Sequence, residues 1–188
     1  MTKKILLLLA MMVSLPIMPQ VLNIRKPFGF VSYDTILLCP RQVQWTIHAT
    51  DLGKSKRSPS WSFIADIPCA GKSSFSKAYA HSGYHRGHMC PAADRSSSVD
   101  LMRSTFVLSN ICPQLPHINT GAWKQTENFC RTAAQQYDSV SVLAVPVFLD
   151  NDTLYLSKHN FAVPHAFFKA AWVSATDSVI GAWFIFNK

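Results

Sequence analysis

The stretch Asn119-Thr120-Gly121-Ala122-Trp123-Lys124-Gln125-Thr126-Glu127-Asn128-Phe129-Cys130-Arg131-Thr132-Ala133-Ala134-Gln135-Gln136-Tyr137 decides the fold class. Ala122, Trp123, Thr126, Phe129, Cys130, Ala133 and Tyr137 recur at three- and four-residue steps, which predicts one amphipathic helix over 119–137. Working outward, the flanking chain changes period. Residues 28–38 and 42–50 read as strands, with Cys39-Pro40 as the turn between them. Short strands are expected at 84–89 and 104–109. Longer ones follow at 140–148, 153–156, 167–173 and 179–186. Strands around one long helix predict an α+β fold with a central, mainly antiparallel sheet.

The chain has 188 residues, of which 48% are hydrophobic, enough for one domain with a sizeable core. A disordered or collagen-like chain is excluded. Lys3-Lys4 followed by the apolar run from Ile5 to Met18 has the charged and apolar regions of a secretory signal, so 1–20 reads as a signal peptide with an indistinct cleavage site. An N-terminal membrane anchor is the lesser alternative. The expected product is a secreted or periplasmic domain over 21–188, with no stable membrane association after signal removal. No other segment is long enough to span a bilayer. Eighteen Lys and Arg stand against ten Asp and Glu; without Lys3 and Lys4, 16 cations against 10 acids leave +6. That excess suits a polyanionic partner. The five cysteines, Cys39, Cys69, Cys90, Cys112 and Cys130, read as small buried hydrophobes with room for one disulfide in an oxidising compartment.

The chemistry concentrates in Gly83-Tyr84-His85-Arg86-Gly87-His88-Met89-Cys90-Pro91-Ala92-Ala93-Asp94-Arg95. One reading takes His81, His85 and His88 as zinc ligands on a helix face. Gly83 and Gly87 disfavour a helix there, by about 1 kcal/mol each. In a strand, His85 and His88 point to opposite faces, so His88 alone enters a cleft. The other reading takes His88 as a single general base with Arg86 and Gly87 beside it.

The order Arg86-Gly87-His88, then Leu108-Ser109-Asn110-Ile111-Cys112-Pro113-Gln114, then Asn119-Thr120-Gly121-Ala122-Trp123 with Glu127 four residues beyond, resembles the DNA/RNA non-specific endonuclease family. That family spans secreted bacterial and mitochondrial nucleases. From His88 the intervals to Asn110, Asn119 and Glu127 are 22, 31 and 39 residues. Arg57 with Phe63 and Asp66, and Val163-Pro164 with Phe167-Phe168-Lys169, extend the likeness more thinly. His85 stands where the family usually has Asp, and the chain ends at Lys188 where many members continue.

The resemblance implies a ββα-metal (His-Me finger) motif in which His88 is the base, Asn119 the direct metal ligand and Glu127 the holder of the metal's waters. Arg57 stabilises the transition state and, with Arg86, clamps phosphate oxygens. Asn110 and Arg131 steady the site or touch substrate, and Arg131 lies one helical turn from Glu127 with which it can pair. Both DNA and RNA are the expected substrates, Mg²⁺ the expected cofactor with Mn²⁺ as a substitute, and a homodimer is compatible. Physical chemistry agrees with such a site. A neutral imidazole accepts a proton at pH 7, and a hard cation with few protein ligands keeps several waters. An unperturbed His88 would lose activity below about pH 6.5. The alternatives are a catalytically degenerate nucleic-acid-binding protein and a zinc hydrolase built on His81, His85 and His88.

Overall fold

Antiparallel hairpins open the structure. In a computed structural model describing residues 21–66, 76–149, 153–156 and 161–188, β1 (Val21–Lys26), β2 (Gly29–Asp34) and β3 (Cys39–His48) pair in sequence. The sheet continues through β6 (Ser139–Val147), β9 (Ala166–Val173) and β10 (Val179–Phe186), in the order β1-β2-β3-β6-β9-β10 with every pairing antiparallel. The α+β expectation with a mainly antiparallel sheet is met.

Period-two alternation decides which face is covered. Val43, Trp45 and Ile47 of β3 lie opposite Ala144, Val142 and Val140 of β6, and all six are buried. Phe167, Lys169 and Ala171 of β9 continue the stripe. Against it lies α3 (Ala122–Tyr137), whose Trp123, Cys130, Ala133 and Ala134 fill the same core. Burying an aliphatic or aromatic side chain in such a layer is worth about 1.5–3 kcal/mol. No described helix is long and apolar enough to cross a membrane.

A second unit packs against this sheet at β2 and β3 and shares its core through Met89, Cys90 and Cys112. β4 (His85–His88) pairs with β5 (Ile111–Gln114), setting His88 opposite Ile111 and His85 opposite Gln114. Between them run a 3₁₀ turn (Ala92–Arg95) and α1 (Val99–Ser104). After β5 come α2 (Pro116–Thr120) and then α3. A further short pair, β7 (Leu154–Leu156) with β8 (Phe161–Val163), completes the described elements.

Asn110 closes the long excursion between β4 and β5. Its Oδ1 accepts the Cys90 N–H at 2.9 Å, and its Nδ2 donates to the carbonyls of Cys90 at 2.9 Å and Thr105 at 3.0 Å. Its own carbonyl accepts the Met89 N–H at 2.9 Å. One buried amide therefore fixes the chain directly after His88.

Four expectations need correction. Cys39-Pro40 is not the turn but the start of β3, paired with Asp34 and Tyr33. The reversal falls just before it, because Asp34 Oδ1 accepts the N–H groups of Ile36 and Leu37 and Leu38 adopts φ 54°. The strand expected over 104–109 is instead the end of α1 and a 3₁₀ turn, with an isolated bridge from Val107 to Ile64. A helix over 119–137 is broken at Gly121, where a Cβ would overlap the His117 carbonyl oxygen. Three strands, β1, β5 and β8, lie where no strand was expected. The four described cysteines, Cys39, Cys90, Cys112 and Cys130, are buried free thiols, so no disulfide joins them; Cys69 and residues 1–20 lie outside the described residues.

Asn110→Ala would strand the Cys90 N–H and two carbonyls in a dry interior. A loss of about 3 kcal/mol is expected, read as a lower urea midpoint at unchanged m-value. A loss below about 0.5 kcal/mol would remove Asn110 from this role.

Candidate active site

The β4–β5 pair and the two helices that follow it border a cleft of about 1090 Å³. Gly87 is required where β4 meets β5, because a Cβ there would run into the buried Gln114 side chain. The close approach brings the residue after it, His88, against the helix. Trp123 Nε1 donates to the His88 carbonyl oxygen at 3.0 Å and pins the strand end to α3.

The imidazole of His88 sits between Phe106 and Phe63, with ring centroids 4.9 and 5.2 Å away. Its Nε2 is buried and forms no hydrogen bond among the described residues. Burial, reinforced by the Arg57 charge, pushes its pKa down to about 3. His88 is therefore neutral at pH 7, with a lone pair to offer. The expectation of titration near pH 6.5 is corrected by this apolar setting. Arg57 stacks over the Phe106 ring at 4.8 Å and forms no ion pair among the described residues, so its guanidinium is available to an anion. Arg86 lies over the Tyr79 and Phe63 rings at 5.5 and 5.8 Å. Lys56 and Lys124 also line the cleft.

Asn119, on the last turn of α2, and Glu127, on the second turn of α3, border the same cleft as His88. The break at Gly121 means that two helices, rather than one face of a single helix, bring them together. Glu127 forms no hydrogen bond or ion pair among the described residues. Burial pushes its carboxyl up to about 7; Lys169 opposes that rise and Asp94 adds to it. A carboxyl without an ion-pair partner among the described residues, in the same cleft as a neutral amide oxygen, is a donor set that fits a hard divalent cation.

Below the cleft lies a cluster of charges. Asp94 accepts from Arg131 at 2.7 Å and from Trp45 Nε1 at 2.9 Å. Arg131 also reaches Asn128 at 2.6 Å. Arg131 therefore pairs with Asp94, not with Glu127 one turn away, and the expected helix-face pair is not formed. Lys169 is fully buried, its Nζ 3.6 Å from the Trp123 ring centroid and without a hydrogen bond among the described residues. Burial lowers its pKa, while Glu127 acts in the opposite direction.

Six residues singled out in the sequence thus share one cleft: Arg57, Arg86, His88, Asn119, Glu127 and Arg131. Asn110 lies behind it in the core. The zinc cluster is not formed: His81 is absent from the cleft lining, and no three His, Cys, Asp or Glu side chains among the described residues come together around a metal position. His85 and His88 do not part company as strand parity suggests, for both line the cleft. At the edge of a four-residue strand the cleft wraps round to reach His85, whose Nδ1 is 3.2 Å from Asn119 Nδ2. Asp94 went unassigned in the sequence although it belongs to the same dense stretch. Its signal, a lone acid in an apolar segment, becomes meaningful once Arg131 and Trp45 are seen to meet it.

Residues 13–187 match the family described as DNA/RNA non-specific endonuclease. Human mitochondrial endonuclease G is 35% identical over 111 residues, covering 54% of this chain and 37% of the relative. The human mitochondrial nuclease EXOG is 29% identical over 199 aligned positions, covering 88% of this chain and 53% of the relative. A nuclease of the bacterium Nostoc is 28% identical over 116 residues, 62% of this chain and 42% of its own. The chain thus spans about half or less of the length of these relatives. In a solved EndoG/EndoGI complex, one chain superposes with a TM-score of 0.79 at 25% identity, covering 93% of this chain and 76% of that one. The match runs through the hairpin, the cleft and the sheet alike, and the chain belongs to the DNA/RNA non-specific endonuclease family.

Proposed function

We propose that this chain hydrolyses internal phosphodiester bonds of DNA and RNA with little sequence preference, assisted by Mg²⁺, for which Mn²⁺ can substitute. The carrying observation is the buried, neutral His88 imidazole opening on the cleft that also holds Asn119 and Glu127. The exposed Arg57 guanidinium and Arg86 bind the scissile phosphate through planar, charge-assisted hydrogen bonds. Lys56 and Lys124 hold flanking phosphates. Such contacts favour any polynucleotide backbone and read no bases. His88 takes the proton from the attacking water at a ring nitrogen. Phe106 and Phe63 keep that imidazole desolvated and fixed in direction. Asn119 would hold the cation through its amide oxygen, and Glu127 would hold the cation's waters. When bound, a hard cation supplies charge neutralisation for the phosphorane-like transition state and acidity for the leaving oxygen.

The basic start and apolar run of residues 1–20 support export of the remainder, where a charge of +6 attracts polyanions. Relatives include both mitochondrial and bacterial nucleases.

A plasmid-nicking and RNA-digestion assay tests the reading. Chelation by EDTA is expected to abolish cleavage and added Mg²⁺ to restore it; full activity in chelator would overturn the metal-assisted mechanism. His88→Ala should reduce the rate by about 10²–10⁴, the usual worth of general acid–base catalysis, with unfolding still cooperative.

The pH dependence follows from burial. The His88 pKa is depressed, so the neutral form persists as pH falls until the folded value of about 3 is approached. Its ring resonances should show no titration between pH 8 and pH 5. At saturating metal, kcat/KM, which reports the free enzyme, should likewise show no His88 step in that interval. A His88 midpoint near 6.5 would contradict the buried setting.

A further inference from the structure

His85 occupies the mouth of the cleft, exposed, three residues before His88 on β4. Its Nδ1 lies 3.2 Å from Asn119 Nδ2. An amide NH₂ group only donates, so in this arrangement Nδ1 is the acceptor. This is the one side-chain hydrogen bond that Asn119 makes among the described residues, and its Oδ1 has no partner there.

A terminal carboxamide turns about a broad, roughly two-fold torsion, so an untethered Asn exchanges its oxygen and nitrogen ends with ease. Asn119 is poorly held otherwise. It sits near the end of the five-residue α2, just before the break at Gly121, and nothing else grips its side chain. Tying Nδ2 to His85 removes that freedom. Because the group is planar, the tie leaves Oδ1 as the end without a partner among the described residues. A cation held at that end would meet an oxygen rather than the amide nitrogen.

We propose that His85 is a positioning residue that accepts from Asn119 and so presents the Asn119 amide oxygen to a divalent cation. This rests on the reading of Asn119 as the cation's direct ligand. His85 does the work without adding a negative charge. The usual Asp of the family at this position is also an acceptor, but an anionic one, so in this chain orientation is separated from charge. Glu127 is then the one carboxyl among the described residues lining the cleft. Loss of the tether is therefore expected in cation affinity first.

Calorimetric titration of Mg²⁺ and of Mn²⁺ into the full chain tests this, with His85→Ala, His85→Asn and Asn119→Ala alongside the parent. The Asn side chain places a neutral acceptor oxygen about where Nδ1 stands, so it restores the hydrogen bond without the imidazole. His85→Ala should weaken cation binding about tenfold, the scale of re-freeing one rotamer-rich side chain. His85→Asn should return it to within about twofold of the parent, and urea midpoints of both should match the parent, since His85 is exposed. A merely structural role would shift the midpoint and would not be rescued selectively in affinity. Parent-like affinity in His85→Ala together with loss of binding in Asn119→Ala overturns the positioning role alone. Equal weakening in His85→Asn and His85→Ala overturns it too, because the acceptor is then not what matters. Parent-like affinity in Asn119→Ala overturns the reading of the metal ligand on which the inference rests.

Discussion

Sheet, helix and cleft are joined at the Trp123 indole. Its ring packs on Phe167 of β9 with centroids 5.4 Å apart, receives the Lys169 ammonium at 3.6 Å on its face, and donates from its edge to the His88 carbonyl at 3.0 Å. One fully buried side chain thereby sets the height of α3 above the sheet and the position of the strand end that carries the candidate base. An apolar residue of equal size would supply the packing and lose the donor, leaving the His88 carbonyl without this bond. A Tyr or His would not span the same distance with an apolar body and a polar edge. Because the cation sits on the ring face, the indole is polarised toward its N–H, which favours the bond to His88.

That junction also explains why Lys169 can be buried at all. An isolated ammonium in a dry core costs several kcal/mol, which is repaid only by nearby opposite charge or by a polarisable surface. Here both are present: the Trp123 face, and the carboxylates of Glu127 and Asp94 whose fields act on it. Arg131 neutralises Asp94 directly through a 2.7 Å ion pair, leaving Lys169 and Glu127 as the less tightly matched members. Two cations, Lys169 and Arg131, and two carboxyls, Asp94 and Glu127, thus meet beneath the cleft, and of the two carboxyls it is Glu127 that lines it. A small, hard ion suits a carboxyl so placed.

The features legible in the sequence are those with a local signature. The apolar period of α3 and the alternation in β6, β9 and β10 each resolved into the expected element, and of the ordered motif residues Arg86, His88, Asn119 and Glu127 line one cleft while Asn110 supports it from the core. What failed was non-local. Pro40 reads as a turn because it cannot donate, yet the start of β3 needs no donor from it and Asp34 makes the reversal instead. Residues 104–109 have strand-like composition, but Thr105 and Asn110 are enlisted to close the excursion after His88. Arg131 sits one turn from Glu127, yet Asp94, distant in sequence, offers it a buried partner. The apolar period of 119–137 begins only at Ala122, where α3 begins, and the reason for the break before it, the His117 carbonyl facing Gly121, is not written in that pattern.

The depressed pKa of His88 appears at first to work against a base, because an imidazole protonated near pH 3 binds a proton weakly. The two causes of that depression are separable. Burial between Phe106 and Phe63 is permanent, whereas the Arg57 contribution depends on what else is in the cleft. A phosphate bound by Arg57 cancels much of that positive field and adds its own negative one, and both changes favour a proton on the imidazole. In the proposed hydrolysis, substrate entry thus raises the basicity of the group that must act on water, at the moment and place where the water is used. Without substrate, His88 stays neutral and unprotonated. Arg57 then has two functions arising from one charge: it holds the phosphate, and its field on His88, smaller than the effect of burial, weakens when the phosphate arrives.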